Sequence, residues 1–270
     1  MLRKAMFSGS FYDSNPNRLQ VTFENWFNQA ETPDIKGKII GVICPHAGYI
    51  YSGFCAAYSY KILIGRNVKT AIIVHPSHRG NHFGFSVSPY REYQTPLGNL
   101  YRNDEMAEEL LKYGAEEIDD WYHQNEHSME VQLPFVHYLN PEINIVPVMI
   151  GNQSLNVSNK LSEVLFKVLT DEVVIIVSTD LSHYHSADEA KALDRLLITR
   201  MISKDLEDFY NNIRTGKIEA CGFAGIMTLM QLSNHITDSH IQELFYTHSG
   251  ITSGDFNQVV GYLSATLTKG

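Results

Sequence analysis

Val173-Val174-Ile175-Ile176-Val177-Ser178 is an unbroken β-branched run that gives way to Thr179-Asp180-Leu181-Ser182-His183-Tyr184-His185. A strand with one wet face alternates apolar and polar residues, whereas a continuous apolar run is what a sheet covered on both faces requires. Three other stretches have the same character: Ile39 to Cys44, Thr70 to His75 and Ile143 to Ile150. Two later runs, Ile241 to Thr247 and Val259 to Leu267, read as additional strands.

Helical patterns lie between the strands. Phe54 to Ile64 follows a glycine, and Glu105 to Tyr113 is amphipathic. Leu155 to Leu169 sets Leu161, Val164, Leu165 and Val168 on one side. Ser186-Ala187-Asp188-Glu189 has the form of a capping box, and the helix it opens spaces Leu193, Leu196, Leu197, Met201 and Ile202 helically. Gly84 to Tyr101 is expected to hold an antiparallel hairpin. This alternation predicts an α/β fold with a central mixed, largely parallel sheet and helices on both faces. No linker, low-complexity tract or repeat interrupts it, so residues 1–270 read as a single domain.

The composition narrows the function. Lysine and arginine number 21 against 30 aspartate and glutamate, a formal net charge of −9. Without a basic patch, such a chain is repelled by phosphate backbones and anionic lipid, so neither nucleic acid nor membrane is an expected partner. No apolar run approaches the roughly 20 residues that span a bilayer. Met1 to Phe7 lacks the apolar stretch of a secretory signal, and Cys44, Cys55 and Cys221 are an odd number of thiols. Both point to a reducing, cytoplasmic location.

In open α/β sheets, ligands bind beyond the carboxyl ends of the strands. Three predicted strands run into histidine-bearing loops there: Cys44-Pro45-His46-Ala47-Gly48-Tyr49, His75-Pro76-Ser77-His78, and Ser178 to His185. Neutral imidazole favours iron, copper and zinc over magnesium or calcium, so His46 and His78 are candidate transition-metal ligands. His75 reads equally as a strand residue packed in the core. Asp180 would orient His183, a candidate general acid or base, or Asp180 or Ser182 would cap a helix.

Glu126-His127-Ser128-Met129-Glu130 precedes Val131-Gln132-Leu133-Pro134 and suits a short helix ending at the proline; it reads either as a second wall of the pocket, with His127 a candidate catalytic residue, or as a solvated face. Cys221, in Glu219-Ala220-Cys221-Gly222-Phe223-Ala224-Gly225, stands where a helix opens. A helix amino terminus lowers a thiol pKa, which makes Cys221 the candidate thiolate. Cys44 and Cys55 read as core packing.

The ordered motifs Pro45-His46-Ala47-Gly48-Tyr49 with Ser52-Gly53, Pro76-Ser77-His78, Glu126 to Glu130 with Leu133-Pro134, Ser178-Thr179-Asp180 with His183, and Cys221-Gly222 resemble the Memo family, protein B of the AmmeMemoRadiSam group. Gly9-Ser10-Phe11-Tyr12 and Val260-Gly261-Tyr262 extend the likeness over the whole chain. The resemblance implies a fold similar to class III extradiol ring-cleavage dioxygenases, which hold non-haem Fe(II) with two histidines and a glutamate. It carries His46 and His78 over as the histidine ligands, His183 as the acid or base, and Cys221 as the third ligand in place of the carboxylate. A thiolate softens the site toward copper(I) and argues against ring cleavage. Family members are associated with iron or copper and redox roles, and animal members with peptide and signalling partners. The expected function is therefore a redox-active, non-haem metal-binding protein whose pocket takes iron (Fe2+) or copper and a small molecule or peptide. The alternatives are a non-catalytic peptide- or protein-binding module and a zinc hydrolase using Asp180.

Overall fold

The computed structural model describes residues 1–270, and its first third runs β1 (Leu2–Arg3), α1 (Pro16–Gln29), β2 (Lys38–Cys44), α2 (Tyr49–Lys61), β3 (Thr70–Pro76) and β4 (Phe85–Val87). A hairpin of β5 (Glu92–Thr95) and β6 (Gly98–Tyr101) follows, then α3 (Asp104–Lys112), α4 (Asp120–Gln124), α5 (His127–Glu130) and α6 (Leu133–Leu139). Next come β7 (Asn144–Ile150), α7 (Leu155–Val168), β8 (Val173–Ser178), β9 (His183–His185), α8 (Ala187–Ser203) and α9 (Leu206–Arg214). The chain closes with α10 (Phe223–His235), β10 (Ser239–His248), α11 (Gly250–Ser253) and β11 (Val259–Lys269).

The central sheet has the order β10-β11-β2-β8-β3-β7-β4, with short β9 paired to β11. Strands β2, β8, β3 and β7 are mutually parallel, while β4 and β11 run against them at the flanks and β10 pairs antiparallel with β11. The sheet is thus mixed with a parallel centre, as its apolar runs required. Alternate residues feed two cores, as the two-residue pleat dictates. Val173, Ile175 and Val177 face a core shared with Leu161, Leu197 and Leu229. Val174 and Ile176 face the other, with Phe23, Tyr60 and Phe135. Each such aliphatic side chain contributes on the order of 1.5–3 kcal/mol through burial.

Most boundaries lie within a residue or two of expectation. The Ser186–Glu189 capping box forms, with the Ser186 hydroxyl accepting from the Glu189 N–H and the Glu189 carboxylate accepting from the Ser186 N–H. Helix α2 differs: it begins at Tyr49 rather than Phe54. Gly53 is inside the helix because a Cβ there would lie 2.2 Å from Cη2 of Trp26. It is a packing glycine, not a helix opener. In the 84–101 stretch, only β5 and β6 form the hairpin; β4 joins the main sheet through β7. The proline after α5 starts α6 near its first turn instead of ending α5, a position where its missing N–H costs nothing. Helices α1, α4, α6, α9 and α11 have no counterpart in the sequence reading.

The amino terminus is stitched to the segment carrying α5. Arg3, 1% exposed, pairs with Glu130 at 2.5 Å and donates to the carbonyls of His123, Gln124 and Glu126. Glu130 also accepts from Tyr12 Oη at 2.7 Å and from the N–H groups of Met6 and Phe7. One of the two basic residues near the amino terminus is therefore an internal clamp. No helix is long and apolar enough to cross a membrane.

Candidate metal centre

Parallel pairing puts Cys44 opposite Ser178, so β2 and β8 end level, with β3 alongside. His46, His78 and Asp180 each stand two residues beyond the last residue of β2, β3 and β8 respectively. Aligned strand ends thus bring three distant sequence segments to one place. His75, by contrast, lies inside β3, 1% exposed, with Nδ1 against Ser128 Oγ at 3.0 Å. It is the core residue of the two readings.

The rings of His46, His78 and His127 form a triangle with centroid separations of 5.3, 5.3 and 4.7 Å. Cys221 enters from the opposite side, its Sγ 3.1 Å from His46 Nε2 and 3.2 Å from the Asp180 backbone N. Gly222 permits this approach, since a Cβ there would sit 2.7 Å from the Ser178 carbonyl oxygen. Ligand atoms of His46, His78 and Cys221 lie within 4.8 Å of one another. An ion with bonds of roughly 2.0–2.3 Å fits that spread with modest closure.

Each imidazole is held from behind. His46 Nδ1 meets Ser178 Oγ at 2.9 Å, and His78 Nδ1 meets Glu126 Oε1 at 2.8 Å. Both Nε2 atoms are thereby left for a ligand. A second grouping, His78 with Glu126 and His127, is also compact. Its carboxylate is already committed: Glu126 accepts from the backbone N–H groups of His78 and Ser128 as well as from His78 Nδ1. The His46–His78–Cys221 set is the better candidate for holding a metal.

Burial shapes the electrostatics. It drives the His46 pKa well below 6.5, helped by His127 and His78, and takes His127 down to about 4. Burial also opposes protonation of His78, but Glu126 more than offsets it, so that pKa is raised. Asp180 is pushed up to about 6 by burial, against hydrogen bonds from the His46 and Ala47 N–H groups and the charge of His183.

Two expectations are corrected. The Cys221 thiol pKa rises rather than falls, because burial, reinforced by the Asp180 charge, outweighs the N–H of Asp180 and the Thr179 hydroxyl. The sulfur would become a thiolate by binding a cation rather than from its position before α10. Asp180 neither caps a helix nor hydrogen-bonds His183; its Oδ1 accepts the His46 N–H at 2.7 Å. Ser182 does not cap one either; the cap of α8 is Ser186. His183 is half-buried on β9. Cys44 and Cys55 are wholly buried in the core, as expected.

Sequence reasoning missed Ser178, Gln132 and the role of Glu126. Glu126 carries the one readable signal, a carboxylate directly before a short helix, and it does cap α5 by accepting from the Ser128 N–H. A separate enclosed cavity of about 230 Å³ lies among Leu63, Ala71, Val136 and Val174 near the starts of β3 and β8. Its only ionisable lining side chain is Arg66, so it reads as a packing gap.

The fold and cluster define a mixed α/β protein with a His–His–Cys pocket at the strand ends. Residues 3–266 match the family described as Memo-like protein. A MEMO1 family protein of Thermoplasma volcanium is 36% identical over 271 residues, covering 100% of this chain and 99% of the relative. Those of Thermoplasma acidophilum and Methanobrevibacter smithii are each 34% identical, covering 98% of this chain and 98% and 99% of themselves. The chain belongs to the Memo family. A solved structure of an uncharacterized Escherichia coli protein aligns at 12% identity over 85% of this chain and 99% of its own, with a TM-score of 0.49, which carries no argument.

Proposed function

We propose that this chain is a redox-active, non-haem metal-binding protein that holds iron (Fe2+) or copper through His46, His78 and Cys221, in the cytoplasm. The observation that carries the reading is the convergence of two back-anchored imidazoles and one sulfur within 4.8 Å. A bound ion would supply one-electron chemistry and polarise a ligand placed at its open positions.

The chain's own residues do the rest. Asp180, with its raised pKa beside the cluster, holds or releases a proton near neutral pH. His183, half-buried on β9, is the second proton-transfer group. His127, packed at 4.8 Å from the Phe11 ring and 5.8 Å from Phe7, walls the pocket on its amino-terminal side. A small molecule or peptide would be received between that wall and β9. Sulfur in place of a carboxylate disfavours ring cleavage, because thiolate donates more electron density and is itself oxidisable.

Anaerobic purification with elemental analysis tests the assignment. Stoichiometric iron or copper is expected in the wild type, lost in His46→Ala and Cys221→Ser, and kept in His127→Phe, with affinity changed less than about twofold. Metal retained by His46→Ala, or lost in His127→Phe but not Cys221→Ser, would overturn it. Zinc alone in the wild type would point instead to a hydrolase using Asp180.

A further inference from the structure

We infer that Ser178, held by Gln132, is a positioning residue that fixes His46 in the Nδ1–H tautomer and so presents a bare Nε2 to the pocket. The argument is a proton count. Ser178 Oγ lies 2.6 Å from the Ser128 carbonyl oxygen, a separation two oxygens reach only with a proton between them. The single hydroxyl hydrogen of Ser178 is therefore spent on Ser128, and every other partner of that oxygen must donate to it.

Two such partners exist. One is Gln132 Nε2 at 3.0 Å. Its amide orientation is set independently: the same nitrogen donates to the Pro45 carbonyl at 3.0 Å, while Oε1 accepts from Tyr60 Oη at 2.8 Å. The other partner is His46 Nδ1 at 2.9 Å, which must then carry its hydrogen. Neutral imidazole has only one N–H, so Nε2 is a free lone pair. The contact of 3.1 Å between Nε2 and Cys221 Sγ is accordingly S–H donating to nitrogen, with the thiol proton occupying the direction a cation would take.

The network is buried throughout: Ser178, Gln132 and Tyr60 are 1%, 1% and 0% exposed. Solvent does not reach the Ser178 oxygen in the folded chain. Without it, His46 would gain more by moving its proton to Nε2 and donating to Cys221 Sγ, which closes the ligand position.

The consequence for ligation rests on the proposed metal site, whereas the tautomer does not. Long-range ¹H–¹⁵N correlation spectra of the chelator-stripped full chain at neutral pH read it directly, with His46 assigned by comparison with His46→Asn. A protonated Nδ1 and unprotonated Nε2 are expected for His46 in the wild type. The two are expected to exchange roles in Ser178→Ala and to return in Ser178→Thr, with the His123 signals unmoved as a check on folding. A purely structural role for Ser178 would not move the proton. An Nε2–H tautomer in the wild type overturns the inference even if Ser178→Ala fails to fold. Retention of Nδ1–H in a folded Ser178→Ala also overturns it.

Titration with Fe(II) or Cu(I) then separates the two ideas. A tenfold to hundredfold loss of affinity in Ser178→Ala is expected. A wild-type chain that shows the Nδ1–H tautomer but binds neither ion would support the tautomer lock while overturning the metal reading.

Discussion

His46 and His78 occupy equivalent places, two residues beyond neighbouring strands, yet the chain holds them by different chemistry. His46 is 2% exposed and rests on a neutral hydroxyl. His78 is exposed and rests on a carboxylate. Burial lowers the pKa of the first imidazole, whereas the Glu126 carboxylate raises that of the second. Equal topology therefore does not mean equal ligands. The two sides should respond differently to mutation and to pH.

The largest effect is expected on the His78 side, through its distant support. Arg3 neutralises Glu130 and ties down the carbonyl of Glu126, the residue behind His78. Arg3→Met would leave Glu130 buried at 0% exposure without its cation, at a cost of about 3–5 kcal/mol in urea unfolding. An unchanged midpoint would show that Tyr12 and the N–H groups of Met6 and Phe7 suffice.

Acid should come next. His75, His123 and His127 have pKa values lowered by burial to about 4, about 3 and about 4. A histidine whose folded pKa lies below its unfolded value resists protonation only while folded, so stability falls as pH drops from about 6.5 toward 4. The slope is at most about 1.4 kcal/mol per pH unit for each group. His78 has the opposite sign: its raised pKa stabilises the fold below about 6.5, and that share is lost as pH rises through the folded value. Metal-free protein should thus be less stable at pH 4.5 than at pH 7, and His75→Asn should flatten that difference. Greater stability at pH 4.5 would show that the groups with raised pKa values, His78, Asp180 and Asp194, dominate.

Glu126→Gln should have the smallest of the three effects and isolates the comparison most cleanly. The His78 N–H and Nδ1 reach different oxygens of Glu126, and an amide turns one of them into a donor and removes the charge, so metal affinity should drop tenfold to hundredfold and the His78 pKa should fall. The drop should vary with pH, unlike that of Ser178→Ala. Identical pH profiles for the two variants would erase the distinction between the sides.

The parts of this fold that rest on burial of whole elements were legible in the sequence. The apolar runs of β2, β3, β7 and β8, the capping box of α8 and the histidines beyond the strand ends all have local signatures. What depended on contact between distant residues was not. Gly53 looks like a helix boundary until Trp26 is found against it. Asp180 and His183 look like a local pair, but the carboxylate turns out to accept from the backbone of His46 instead. Cys221 looks like an activated thiol by position before a helix, and only the depth of the pocket reverses the sign. Ser178 reads merely as the polar end of an apolar strand, because its proton count exists only once Ser128, Gln132 and His46 surround it.

X-ray absorption at the metal edge of anaerobically purified protein addresses the ligand set most directly. One sulfur at about 2.3 Å and two imidazole nitrogens near 2.0–2.1 Å are expected, with the sulfur shell vanishing in Cys221→Ser. A shell of nitrogen and oxygen alone, unaltered by that substitution, would contradict the account.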